Sequence, residues 1–115
     1  MKNNGPLAWV ELFAGPGRLY VREEERFYPG SPVQAVGIKD PFEHYVFADL
    51  DPRCVAALDA RIGHLPHVHV LEGDANKAAL HDRILALVPR DALVVLYADP
   101  AALDLDFETL KQRAL

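Results

Sequence analysis

Trp9-Val10-Glu11-Leu12-Phe13-Ala14-Gly15-Pro16-Gly17 joins an apolar, β-like run to an acidic residue and then to a glycine-rich turn. The pattern reads as a buried strand that delivers the chain to a small-molecule site. In an open α/β sheet ligands sit beyond the carboxyl ends of the strands, and glycines there let the backbone approach a ligand with no Cβ in the way.

Outward from this stretch, apolar β-like runs alternate with helical patterns. The first strand spans about Ala8 to Phe13. Arg18 to Gly30 carries a charge run, Arg22 to Arg26, and reads as a solvated loop or hairpin closed by Tyr28-Pro29-Gly30. Ser31-Pro32 has the form of a helix cap followed by proline at the first helical position, opening a short helix to about Ile38. A second strand, His44 to Ala48, leads to the same signal at Asp51-Pro52. The helix that follows sets Cys54, Val55, Leu58 and Ile62 on one face, with Gly63 at its end. A third strand, His67 to Leu71, precedes a helix marked by Leu80, Ile84, Leu87 and Val88. The fourth, Ala92 to Ala98, is almost continuously apolar, the composition of a strand covered on both faces. A last helix is expected from Asp106, with Phe107, Leu110 and Ala114 inward.

Short connections between alternating strands and helices give parallel pairing and right-handed crossovers. The expected fold is therefore a Rossmann-like, doubly wound α/β sheet of about four strands in the order 3-2-1-4, in one domain over residues 1–115.

Composition narrows the function. Of 115 residues 50% are hydrophobic and 25% charged, as in an ordinary globular domain. The net charge of -5 gives no support to nucleic-acid binding through a basic stripe. Cys54 is the only cysteine, so no internal disulfide forms. No apolar run reaches the roughly 20 residues that span a bilayer, and the N-terminus lacks a signal-peptide core. A cytoplasmic location is the default expectation. His64, His67 and His69 have no cysteine or carboxylate at ligand spacing, so no metal site is expected.

Each strand has an acidic residue within it or just past its end: Glu11, Asp49, Asp74 and Asp99. All four should gather along one edge of the sheet. A carboxylate after the second strand can accept from both hydroxyls of a ribose; Asp74 can accept from an adenine amino group, and the Ala75 amide can donate to a ring nitrogen. These placements suit an adenosine-containing cofactor. The dinucleotide fingerprint Gly-x-Gly-x-x-Gly is incomplete, because Gly15-Pro16-Gly17 runs into Arg18-Leu19-Tyr20. Asp49 also stands 32 residues beyond Gly17, where the fingerprint places its acid about 20 residues on. S-adenosylmethionine, which has no pyrophosphate to cradle, fits better than NAD.

The ordered motifs Glu11-Leu12-Phe13-Ala14-Gly15-Pro16-Gly17-Arg18, Gly30-Ser31-Pro32, Phe47-Ala48-Asp49-Leu50-Asp51-Pro52-Arg53-Cys54, Gly73-Asp74-Ala75-Asn76 and Ala98-Asp99-Pro100 resemble those of the three-Cys-motif partner proteins. These proteins have a class I methyltransferase-like domain. The resemblance implies S-adenosylmethionine as cofactor, with Glu11, Gly15 and Gly17 toward its methionine end and Phe13 and Leu50 among the residues that bind it. It puts Asp49 at the ribose, Asp74 and Ala75 at the adenine, and Asp99-Pro100 facing the transferred methyl group. It also implies a three-cysteine-motif protein as partner.

Two features depart from that pattern. Ala101-Ala102 stand where the family has an aromatic residue and a glycine, so the ring that stacks on a flipped base in amino-group methyltransferases is absent. A class I domain also has about seven strands, and strand four would here be left as an edge. The expectation is a truncated domain, or one that covers this strand with a second copy as a homodimer. Three readings remain open: a methyltransferase-like S-adenosylmethionine-binding domain, a non-catalytic module for assembly or partner binding, and an NAD-binding domain.

Overall fold

The computed structural model describes residues 5–38 and 42–98. Its centre is a parallel sheet of four strands, β1 (Leu7–Leu12), β4 (His44–Asp49), β5 (Val68–Glu72) and β6 (Leu93–Ala98), in the order β5-β4-β1-β6. This is the 3-2-1-4 order expected from the alternation of elements. The register pairs Val10 with Val46 on one side and with Leu96 on the other. Between β1 and β4 the chain makes an antiparallel hairpin, β2 (Arg18–Val21) and β3 (Arg26–Pro29), and then α1 (Ser31–Val36). The remaining helices are α2 (Pro52–Ile62) and α3 (Ala78–Leu87).

Side chains alternate across each strand, so the sheet has two apolar faces. Ala8, Val10, Val46 and Ala48 pack with Leu80, Ile84 and Val88 of α3 and its exit. Tyr45, Phe47 and Val68 point the other way, against Ala35 of α1 and Leu58 and Ile62 of α2. Helices therefore cover both faces, the defining trait of a doubly wound, Rossmann-like sheet. Phe47 is fully buried, and burying a phenylalanine to that extent contributes about 2–3 kcal/mol.

Local signals set the helix ends. The Asp51 side chain accepts from the Arg53 amide at 2.8 Å and Pro52 takes the first helical position, as that dipeptide predicts. Ser31-Pro32 behaves differently from expectation. The cap of α1 is Gly30, with Ser31 as the first helical residue. The Ser31 hydroxyl is drawn away from the helix terminus to a carboxylate from another strand.

Strand β6 also corrects its composition. Leu93 and Leu96 are 61% and 62% exposed, and β6 closes the sheet among the described residues. It is apolar without being covered there. Among the described residues no helix is long and apolar enough to cross a membrane. The helix expected from Asp106 lies outside them.

Candidate functional site

At the end of β1 the backbone turns sharply. Phe13 has a φ of 56°, in the left-handed region that bulky residues rarely occupy. The next amide, Ala14, donates to the Ala48 carbonyl at 3.0 Å and holds the distorted turn against β4. Such local strain persists only where the surroundings impose it. Its effect is to put Phe13 at the mouth of a crevice rather than in the next layer of core.

That crevice, about 340 Å³, opens beyond the carboxyl ends of β1, β4 and β5. Phe13, Asp49, Leu50, Asp74 and Ala75, all singled out from the sequence, line it together. Ala48, Asp51, Gly73, Asn76 and Leu80 complete the wall. Of these, Leu80 reads in the sequence only as a core position of α3; it is buried there and also forms part of the crevice wall, which follows from the short β5–α3 connection.

Asp49 organises the crevice. Its Oδ2 accepts from the Gly15 amide at 2.8 Å and its Oδ1 from the Asp51 amide at 2.9 Å. One side chain thus ties the glycine turn after β1 to the start of α2. A carboxylate offers about four acceptor positions, so two bonds leave capacity for hydroxyls of a ligand. Asp74 accepts from the Asn76 amide at 2.9 Å through Oδ1, forming the turn that leads into α3.

The other named residues are placed differently. Glu11 is not in the crevice wall; at 1% exposure it accepts from Trp9 Nε1 at 3.0 Å and from the Ser31 hydroxyl. Gly15 and Gly17 are not in the crevice wall: Gly15 is tied to it only through the hydrogen bond from its amide to Asp49, and Gly17 lines a separate concavity. Gly17 has a φ of 86°, and a Cβ there would come within 2.9 Å of Leu58 Cδ1, so both conformation and space call for glycine. The Gly30 amide donates to the Gly17 carbonyl at 2.9 Å, a close approach that clamps the base of the hairpin. Asp99 and Pro100, expected at the reacting end, lie outside the described residues.

The Ser31–Glu11–Trp9 set was not legible as a unit. Trp9 and Glu11 share a face of one strand at a spacing of two, a signal present in the sequence. Ser31 is twenty residues away from Glu11, and nothing local pairs them.

Charge is uneven around the crevice. Asp49, Asp51 and Asp74 line it, with no lysine or arginine among the described residues of the wall. Arg53, itself almost fully exposed, meets Asp51 at 3.0 Å. Hydrogen bonds from the Arg53 side chain, then from its amide, hold the Asp51 carboxyl below the ordinary aspartate range. Burial pushes the Cys54 thiol up, helped by the negative charges of Asp49 and Asp51. Cys54 is thus a half-buried, poorly ionised thiol rather than a nucleophile.

The Asp51 shift has a definite sign. Because its folded-state pKa is depressed, the stabilising contribution is present above the unfolded-state value and is lost as pH falls through the folded one. Acidification below the ordinary aspartate range is expected to loosen the first turn of α2 before the core opens. Faster hydrogen exchange at the Arg53 amide, with Phe47 resonances unchanged, is the expected observation; simultaneous change in both would show that the cap does not act locally.

The fold and crevice define a Rossmann-like α/β domain with an acidic cleft at the carboxyl edge of its sheet. Compared with protein-family models, curated proteins and solved structures, the chain matches none.

Proposed function

We propose that the crevice binds S-adenosylmethionine and that the domain is methyltransferase-like. The carrying observation is the wall as the described residues form it: the Asp49, Asp51 and Asp74 carboxylates, no cationic side chain among them, and the apolar surfaces of Phe13, Leu50 and Leu80. Such a wall repels a pyrophosphate and favours a ligand with hydroxyl donors, a flat apolar ring and a positive charge. S-adenosylmethionine has all three; NAD carries the pyrophosphate.

In this reading Asp49 receives the ribose hydroxyls, Asp74 and the Ala75 amide read the adenine edge, and the glycine turn makes room for the methionine end. The residues fit the group, since Asp49 has acceptor capacity beyond its two backbone bonds. When bound, the cofactor supplies an electrophilic methyl on a sulfonium. The chain's part is to align the acceptor, which supplies much of the barrier reduction for an in-line transfer. An acceptor so aligned would have to give up its proton to a neighbouring base. Asp99, beside Pro100, takes that role on the strength of the resemblance alone, as does a three-cysteine-motif protein as partner.

Isothermal titration tests the reading. Micromolar binding of S-adenosylmethionine and S-adenosylhomocysteine is expected, with none of NAD. Binding of NAD alone would overturn it. Binding of none would favour the second reading, a non-catalytic assembly module, for which the exposed leucines of β6 are the specific observation. In that reading a second copy of the chain pairs along β6.

A further inference from the structure

The β2–β3 hairpin is rich in large side chains that it does not bury. Leu19, Tyr20 and Phe27 are each more than half exposed, and no residue of either strand is buried. Core packing therefore does not account for them. Tyr20 and Phe27 are cross-strand partners with ring centroids 5.0 Å apart, and the Arg18 guanidinium lies 4.0 Å from the Phe27 ring centroid. Guanidinium planes and aromatic rings are the two surfaces on which unpaired bases stack.

Between this hairpin and the helices α1 and α2 is a second concavity, distinct from the acidic crevice. Arg18, Phe27, Pro29, Val33, Arg61 and Ile62 form most of its wall, and no carboxylate lines it among the described residues. Arg61 reaches in from the last turn of α2. It donates through Nη1 to the carbonyls of Pro16 at 3.0 Å and Ala57 at 3.1 Å, which pins the guanidinium in place. Its other N–H groups meet no acceptor among the described residues. Within those residues the single ion pair is Arg53 with Asp51, so neither Arg18 nor Arg61 has a carboxylate partner there. Two cations beside an aromatic ring, in a chain of net charge -5, make a local site for an anionic planar group. Because Arg61 is already held, binding costs little side-chain ordering.

We propose that this concavity binds a nucleotide unit, its base stacked on the Arg18–Phe27 surface and its phosphate facing Arg61. The unit comes either from a free nucleotide or from a single-stranded polynucleotide, and the chemistry read is the same. The site does not depend on S-adenosylmethionine occupying the crevice. Gly17 lines the concavity while Gly15, two residues before it, donates to Asp49 of the crevice wall, so the glycine turn links the two.

The probes are uridine monophosphate, uridine and fluorescein-labelled decauridylate RNA. A pyrimidine avoids the adenine-reading groups expected of the crevice. Binding of uridine monophosphate or of decauridylate is expected, with uridine weaker because it lacks the phosphate. Phe27→Ala and Arg18→Ala should each weaken binding about fivefold or more, the size of one lost stacking contact, while Phe27→Tyr retains it. Both positions are exposed, and circular dichroism confirms that the variants are folded. Tighter binding of decauridylate than of uridine monophosphate identifies a polynucleotide as the source; equal binding identifies a free nucleotide. Failure of both to bind, insensitivity to Phe27→Ala and Arg18→Ala, or loss of binding in the crevice variant Asp74→Ala would overturn the proposal.

Discussion

Glu11→Ala is expected to lower the unfolding free energy by about 3 kcal/mol, as measured by urea denaturation. The carboxylate sits at 1% exposure on the face of β1 that also carries Trp9. It accepts from the indole Nε1 of Trp9 and from the hydroxyl of Ser31. Truncation removes the acceptor of two half-buried donors at once, and a hydrogen bond to a charged group contributes about 1.5–3 kcal/mol. It also opens a space between the sheet and α1 that those elements fill only in part. Ser31→Ala removes one donor and leaves no orphan on its own side, so its cost should be smaller, about 1 kcal/mol. Because the two residues share a bond, the double variant should lose less than the sum of the singles. Strict additivity would show that the Ser31 hydroxyl contributes nothing to holding Glu11. The consequence reaches the glycine turn, since Ser31 opens α1 directly after Gly30, whose amide clamps the Gly17 carbonyl. A loosened Glu11 therefore unfastens the glycine turn from below.

This dependence explains which parts of the molecule the sequence made legible. Strand positions and their order follow from period and connection length, which are local, and from the right-handed crossover rule. The Asp51-Pro52 cap was legible because donor and acceptor stand two residues apart. Ser31-Pro32 has the same local form, yet a carboxylate twenty residues upstream competes for its hydroxyl and wins. No short-range pattern contains that competition. Strand β6 illustrates a second limit: an apolar run states what a strand can bury, while its neighbours decide what it does bury. Phe13 illustrates a third, because a left-handed phenylalanine has no sequence signature and arises only from the fit of the turn against β4. The crevice itself was readable, as the acidic residues that end parallel strands must share an edge. The cationic concavity behind the hairpin was not, because Arg18 and Arg61 are 43 positions apart in the chain and meet only once α2 is docked.

Asp49→Asn carries the largest expected effect on ligand binding, a fall in S-adenosylmethionine affinity of about thirtyfold, or about 2 kcal/mol. The substitution conserves shape and changes the chemistry of one atom. In the protein, Oδ2 faces the Gly15 amide and Oδ1 faces the Asp51 amide, both donors. An asparagine must turn its NH2 group toward one of them, setting donor against donor and releasing either the glycine turn or the entry to α2. The acceptor capacity expected to receive ribose hydroxyls falls at the same time, and the crevice loses one of the negative charges that favour a sulfonium. Stability should fall by only about 1 kcal/mol, because the site is at the rim and not in the sheet core. The two readouts therefore separate: a variant that keeps its urea midpoint nearly intact and loses most of its affinity identifies Asp49 as a binding residue. A large stability loss with unchanged affinity would make Asp49 a fastener of the glycine turn, and the ribose would then belong elsewhere along the edge.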